Sequence, residues 1–594
     1  MNEIMDRTDY VVMLDGKRLP PITQIGGKAW SIARMLQLGL SVPPAFVITV
    51  DACKYFNQVE GKLPPELTDA CAQAIGYLEE TTGRIFGGVR RPLFVSVRSG
   101  ASVSMPGMMD TILNLGMNDT SEIALSEETN DPSFAREVHR RFLEMFSRIV
   151  LRNTTMDFNS AATPAVWRAQ LTKSTGQTIA QDPYEQLMAA IGAVFQSWNS
   201  RRARRYREHH GIQHDLGTAV AIQAMVFGNA QCNSGTGVLF SRNPLTGNRA
   251  PYGEYLRGAQ GEDVVSGTRT PVPLDVLAEH LPKVYAELLA AAEILESEGR
   301  DMQDIEFTIE RGKLFLLQSR AAKRSAAAAV RVAVDMVREG KLTQDEALVR
   351  VSPDQVRVLL RAVISAEEAA RADIVLRGEA ACPGVGTGIV VNDSDVAQAK
   401  VNDGEKVVLA RPTTSPEDLH GMIVASGVIT EQGGATCHAA VVSRSLGVPC
   451  IVGCGDGTLA NLVGQRVTVD GSRGVVYAGT VEVAQPDLEG IEGLTELDRW
   501  ATAASPIKVY GEDFRLSDAG IVLDLDLHPV MESPGQIAAL LSSVSGARGK
   551  YFASDEGVRV AVIAGLQFIV VRHRLPALLA ACRFKYRSFE GEPI

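Results

Sequence analysis

The chain has 594 residues with a net charge of −11, 45% apolar and 22% charged side chains. That composition excludes a largely disordered chain, and the length allows about four domains. The acidic balance argues against bulk attraction to nucleic acid or an anionic membrane surface.

In chain order, the first hundred residues mix helix and strand patterns. Ala29 to Leu40 predicts a helix following Gly26-Gly27, and Leu93 to Val97 predicts a buried strand ending in Arg98-Ser99-Gly100. From about 120 to 215 the pattern is mostly helical, as in Phe134 to Leu151 and Pro183 to Glu208. The run Arg201 to Arg207 holds a single aromatic and predicts a solvated helix face rather than a nucleic-acid patch. Strand patterns return from Thr218 to Leu317. Ser325 to Glu339 predicts an alanine-rich helix, followed by a capping-box sequence, Thr343 to Glu346, and another helix start at Ser352-Pro353. A β-rich unit opens near Cys382 and closes near Gly479, and the remainder carries its own apolar strand at Ile521 to Leu525. The longest apolar stretch, Val560 to Val571, is too short for a bilayer span, which predicts a soluble protein. Eight dispersed cysteines without a CxxC pair predict a reducing cytoplasm, and Cys450 and Cys454, spaced like a metal pair but with no second Cys/His pair, read as buried free thiols.

Glycine is in excess, 54 residues, and it clusters. Gly26-Gly27-Lys28 sits at a helix start, where free backbone N–H groups and a lysine attract phosphate, although the tripeptide is equally at home in a plain turn. Ser96 to Thr111 is a strand running into a loop rich in small hydroxyl residues, Ser104 among them, and in glycine, Gly100 and Gly107; it suits a lid over a polyphosphate, with Arg98 neutralising charge, and the apolar Met105, Met108 and Met109 argue against an ordinary flexible loop. Asn233 to Pro244 is compatible with a plain hairpin. In Asp304 to Arg320, period-2 alternation puts Asp304 and Glu306 on one strand face, and likewise Gln318 and Arg320. A three-residue loop, Arg311-Gly312-Lys313, would pair Glu306 with Gln318 and Asp304 with Arg320, whereas a two-residue loop would set Glu306 against Leu317. The merged patch offers hard oxygen ligands, Asp304, Glu306 and Gln318, suited to Mg²⁺ carrying a nucleotide; a surface salt-bridge patch is the alternative.

The strongest single signal is Glu431 to Arg444, where Gly433-Gly434 leads into a helix presenting His438 in its first turn. A neutral imidazole there is a competent nucleophile toward phosphorus, and the helix N-terminus favours the phosphate it would acquire. Thr436 can cap the helix or bond that phosphate, Arg444 can help neutralise it, and Cys437 reads as a small spacer.

These residues resemble the pyruvate phosphate dikinases, relatives of phosphoenolpyruvate synthase and of enzyme I of the sugar phosphotransferase system. The resemblance runs from about 15 to about 485 and rests on the loop Ser102 to Thr111, Gly253 to Leu256, Ala259 to Val265, Thr414 to Asp418 and the His438 segment. It implies a multidomain α/β and α+β chain: an ATP-grasp-like nucleotide-binding domain at 1–325 with a helical insert at about 120–215, a helical connector at 326–378, a swivelling phosphohistidine domain at 379–485, and a small α/β C-terminal segment at 486–594. It also implies that Lys28 and Arg98 hold ATP phosphates, that Asp304, Glu306 and Gln318 organise Mg²⁺ and nucleotide with Arg320 on the phosphates, and that His438 is the phosphocarrier. The family's histidine takes the β-phosphoryl group of ATP, releasing AMP, and inorganic phosphate removes the outer phosphoryl group as pyrophosphate. The roughly 110 residues after 485 fall far below the ~250 of the family's (β/α)₈ barrel and show none of its motifs. The sequence therefore predicts an ATP-dependent phosphotransferase whose acceptor is a separate protein or small molecule, using pyruvate only if a barrel is supplied elsewhere. The alternatives are a non-catalytic nucleotide-responsive binding protein or a truncated, inactive dikinase relative. Nucleic acid and membrane are not expected as partners, and assembly as a homodimer is left open.

Overall fold

The computed structural model describes residues 10–103, 105, 109–153, 158, 162–209, 211–230, 232–265, 270–360, 363–434, 436–484, 490–514, 522–527 and 534–589. Two five-stranded antiparallel sheets build the N-terminal half. The first runs in the order Val11–Leu14, Ala45–Ile48, Ala219–Ala224, Val95–Gly100, Thr111–Leu115. Its central strand, Ala219–Ala224, is buried along its whole length, as its apolar run requires. Helices Pro132–Ile149 and Pro183–Ser197 share the core of this sheet, through Phe142, Phe146, Ile191 and Val194. Each starts with an aspartate whose carboxylate accepts backbone N–H bonds, followed by proline in the first turn.

The expected helix from Pro183 to Glu208 is two helices, Pro183–Ser197 and Arg201–His209. The arginine run is not a wholly solvated face either. Arg207 is fully buried, donates to the Trp198 carbonyl at 2.7 Å and stacks 4.1 Å from the Trp198 ring centroid, while Arg202 pairs with Asp110. Arginine carries an apolar stem and a planar head that stacks on aromatics, so charge counting alone misplaces it.

The second sheet runs Val272–Pro273, Tyr252–Arg257, Gly235–Phe240, Gln303–Glu310, Lys313–Ala321. Its last two strands form a hairpin in which Glu306 does pair with Gln318 and Asp304 with Arg320, but not through the expected loop. The turn is the two-residue Arg311-Gly312, with Glu310 opposite Lys313. Both turn residues have positive φ, 50° and 76°, the geometry that matches strand twist in tight hairpins. A β-bulge opposite Glu306/Phe307 makes Leu317 the extra residue and restores the pairing.

The unit from Ile374 to Ala478 is an eight-stranded mixed sheet. Val385–Val391, Val407–Arg411, Gly427–Thr430 and Cys450–Val452 are mutually parallel, and antiparallel strands flank them. Its entry and exit are tied by one bridge, in which Val363 and Ala484 exchange two backbone hydrogen bonds of 2.8 and 2.6 Å.

The C-terminal strands Lys508–Tyr510, Val522–Asp524, Gly546–Arg548 and Phe568–Val570 form a parallel sheet in which the first strand lies beside the fourth. Helices Ala326–Arg338, Gln344–Arg350 and Pro353–Leu359 pack against this unit in one core, where Val330, Leu348 and Val356 meet Leu497, Trp500, Leu578 and Leu579. Arg583 adds hydrogen bonds of 3.1 and 2.6 Å to the Val349 carbonyl. Among the described residues no helix is long and apolar enough to cross a membrane.

Because this core is shared, Leu579→Ala should cost about 2–5 kcal/mol, the cost of a large-to-small change at a fully buried leucine. Leu527→Ala, at a side chain 80% exposed, should stay within about 0.5 kcal/mol. Denaturant unfolding of the two variants checks both.

Candidate functional site

The helix that carries Lys28 is broken at Gly26, whose φ of 72° suits glycine. A Cβ there would lie 1.8 Å from the Gly100 carbonyl oxygen. The Gly27 N–H donates to the Ala101 carbonyl at 2.9 Å. This close approach sets Lys28 beside Gly100 at the end of the strand that carries Arg98.

Arg98 then reaches across to the second sheet, donating to Glu306 Oε2 at 3.2 Å and to Gln318 Oε1 at 3.4 Å. Arg320 donates to Asp304 Oδ2 at 2.8 Å, while the buried Asp304 Oδ1 has no hydrogen-bond partner. Burial holds the Asp304 carboxyl above the usual range, with Arg320 pulling the other way. Glu306 is subject to the same burial, but Arg98, Arg320 and Lys28 outweigh it and hold its carboxyl below that range. Two neighbouring carboxylates thus have different proton affinities set by their surroundings.

His438 is the first residue of helix His438–Leu446, with Cys437 at the N-cap. Thr414 Oγ1 lies 3.1 Å from Nδ1, and Nε2 is buried without a hydrogen-bond partner. Burial pushes the imidazole down to about 4, with Asp418 opposing. Burial also pushes the Cys437 thiol up to about 11, so it stays protonated beside the imidazole. Thr436 donates to Glu254 on the second sheet, and Tyr252 donates to Glu379 at 3.1 Å, so the eight-stranded unit is docked against the N-terminal half.

One cavity of about 1240 Å³ is lined by Lys28, Arg98, Gly100, Asp304, Glu306, Gln318, Arg320, Thr436 and His438 together. Ser104 and Gly107 lie outside the described residues. Met105 is buried, and Met109 packs against the same apolar cluster as the His438 helix. Arg444 is not at the imidazole: it is fixed to the Ala381 carbonyl at 3.0 Å and lies 5.9 Å from the Phe240 ring, about 240° round the helix from His438. Glu254 and Thr414 had been assigned no role from sequence. Glu254 lies in a stretch that carries the family resemblance, but strand alternation cannot name a partner 182 residues away. Among the described residues no cluster of three His, Cys, Asp or Glu side chains is assembled for a metal, and Cys450 and Cys454 are buried free thiols.

Residues 22–61 and 58–285 match the pyruvate phosphate dikinase AMP/ATP-binding domain, and residues 403–474 match the mobile domain of PEP-utilising enzymes. The fold and these matches define a multidomain α/β protein with an N-terminal nucleotide-binding domain followed by a PEP-utiliser domain. Pyruvate, phosphate dikinase of Rhizobium meliloti is 41% identical over 532 residues, 82% of this chain and 59% of the relative. That of Clostridium symbiosum is 40% identical over 520 residues, again 82% and 59%. Pyruvate, phosphate dikinase 2 of Oryza sativa is 37% identical over 611 residues, 96% of this chain and 66% of the relative. The chain belongs to the pyruvate phosphate dikinase family, and it spans less than two thirds of the length of these relatives.

The depressed His438 pKa gives a direct test. Imidazole ¹⁵N shifts followed from pH 8 to pH 3 should place its midpoint near 4 rather than the ordinary 6.5. By linkage, the buried arrangement of the ring is fully favoured above about pH 6.5 and is lost as pH falls towards 4. A midpoint near 6.5 would mean that the ring stands in water.

Proposed function

We propose that the chain is an ATP-dependent phosphotransferase of the dikinase kind, in which His438 takes the β-phosphoryl group of ATP. The observation that carries this reading is the buried, unpartnered His438 Nε2 on the wall of the cavity that gathers Arg98, Asp304, Glu306 and Arg320. In this reading Nδ1–H donates to Thr414, which leaves the lone pair on Nε2. Nε2 bonds to the β-phosphorus while the bond from that phosphorus to the α,β-bridging oxygen breaks, and AMP departs with the electron pair. Lys28, Arg98 and Arg320 neutralise the phosphate oxygens, and Gly100 lets the polyphosphate approach the backbone. The first-turn N–H groups of the His438 helix, with Thr436, receive the phosphoryl group that the ring acquires.

The oxygens of Asp304, Glu306 and Gln318 are of the hard kind that suits Mg²⁺, and Asp304 Oδ1, buried without a hydrogen-bond partner, is an oxygen such an ion would take. Held by these residues, Mg²⁺ would supply positive charge to offset that of the nucleotide phosphates. We read the nucleotide half (1–325) as ATP-grasp-like, its two sheets flanking the cleft, and 379–485 as a swivelling carrier. The bridge Val363–Ala484 at its leads supports that motion, and the docked contacts it would release include Thr436–Glu254, Tyr252–Glu379 and the apolar cluster in which Met105 and Trp198 meet Cys437 and Ala439. Inorganic phosphate takes the outer phosphoryl group as pyrophosphate. Pyruvate is the final acceptor where a pyruvate-binding domain meets the phosphohistidine.

Incubation with ATP labelled at the β-phosphorus should leave acid-labile label on the protein, and His438→Ala should abolish it. Wild type that stays unlabelled with and without phosphate would overturn the proposal. Glu306→Gln, or chelation of Mg²⁺, should slow labelling by about 100-fold or more, read as label formed per minute.

A further inference from the structure

The segment that holds His438 Nδ1 is itself tied on both sides. Strand Val407–Arg411 runs out towards Thr414, and between them the Pro412 carbonyl accepts from the Gln432 N–H at 3.0 Å. Gln432 immediately precedes the glycine pair that leads into the His438 helix. On the other side Ser415 and Asp418 form a capping box around a single 3₁₀ turn, Pro416–Asp418. Asp418 Oδ2 accepts from the Ser415 N–H at 2.8 Å and from Ser415 Oγ at 3.3 Å. The residue next to Thr414 is therefore pinned by one carboxylate, which stands on the Thr414 side of the ring.

That carboxylate is buried, 4% exposed, and fully engaged. Its Oδ1 accepts from Ser394 Oγ at 2.9 Å, and Arg411 Nε lies 3.1 Å from the same oxygen. Ser394 comes so close because Gly421 faces it, where a Cβ would meet the Ser394 Cβ at 2.7 Å. Three hydrogen bonds and an arginine are the partners that a carboxylate withdrawn from water needs. Around the ring itself, Thr413, Thr414, Thr430, Gln432, Cys437 and Ala439 enclose a void of about 10 Å³, and all of them are neutral. Glu417 next door is exposed, and Glu254 is engaged by Thr436. Asp418 is the group whose charge opposes burial at the imidazole.

We propose that Asp418 is a positioning residue for the phosphoryl transfer: through Ser415 it fixes Thr414 against Nδ1, and its charge favours a proton on that nitrogen. The inference rests on the phosphohistidine reading above and adds a residue that lies behind the cavity wall, which ends at Glu417 in this segment. The Nε2 lone pair forms the new bond to phosphorus, AMP carries away the electron pair of the broken one, and the Nδ1 proton stays in place. The ring thereby gains a positive charge that the neutral imidazole lacked. A fixed negative charge on the Nδ1 side stabilises that cation more than the ring before reaction, so it speeds the step as well as orienting the nucleophile.

The test uses the full chain with uniform ¹⁵N-histidine and ATP labelled at the β-phosphorus. Asp418→Asn keeps the shape and an acceptor oxygen but removes the charge. Labelling should slow about tenfold or more, while the half-saturating ATP concentration moves less than twofold. The His438 midpoint should fall below the wild-type value of about 4, and the share of ring protonated at Nδ1 near pH 8 should drop. Unchanged labelling, an equal change in ATP half-saturation, or a midpoint rising towards 6.5 as in a ring opened to water would each overturn the assignment. Wild type alone also tests it, since an Nε2–H ring near pH 8 would refute the role given to Asp418. Label on wild type with an unaltered Asp418→Asn defeats only this residue's role. Absence of label, with an Nδ1–H ring in wild type that Asp418→Asn loses, defeats the histidine reading and leaves Asp418's hold on the ring standing.

Discussion

One extra residue in one strand lets a single hairpin serve two environments. Counting back from the tight turn, Ile309 opposes Leu314 and Phe307 opposes Leu316, all buried in the apolar core of the second sheet. Without a bulge, the same count would set Glu306 against Leu317 and send Gln318 and Arg320 to the core face. An unpaired arginine in that core would be costly to bury. Leu317 absorbs the offset, so the pairing changes faces in mid-strand and Asp304, Glu306, Gln318 and Arg320 project together into the cavity. Lys28, Arg98 and His438 meet this patch and have no focus without it.

The second constraint is the conflict between burial and polarity at His438. An imidazole withdrawn from water resists protonation, which keeps it nucleophilic, but it also leaves Nε2 without a partner. Thr414 holds the other nitrogen, and Glu254 holds the neighbouring Thr436. The ring is therefore held by its flanks while Nε2 stays unpartnered, the arrangement that the proposed transfer to this atom requires.

Local chemistry was legible in the sequence wherever a short stretch decided it. The capping box at Thr343 and the helix start at Ser352-Pro353 formed as their residues required, while the helix expected over Ala29 to Leu40 runs Ile22–Gln37 with its kink at Gly26. The pairing of the hairpin was foreseen with the wrong turn, because alternation fixes which residues share a face but is blind to a bulge that resets the count. Contacts between distant segments were illegible. Nothing near Arg207 announces Trp198 as a stacking partner, and nothing near residue 350 announces that the C-terminal helix packs on it. For the same reason, segments expected as a connector and a separate tail share one core: apolar faces declare that they need cover, not what provides it.

The strand order of the C-terminal sheet has a consequence for its edges. Its first and second strands, consecutive in sequence, occupy opposite borders, while the second, third and fourth are neighbours in turn. Among the described strands, both open borders therefore belong to Lys508–Tyr510 and Val522–Asp524, each only three residues long, and so short an edge offers little template for a stray strand of another molecule.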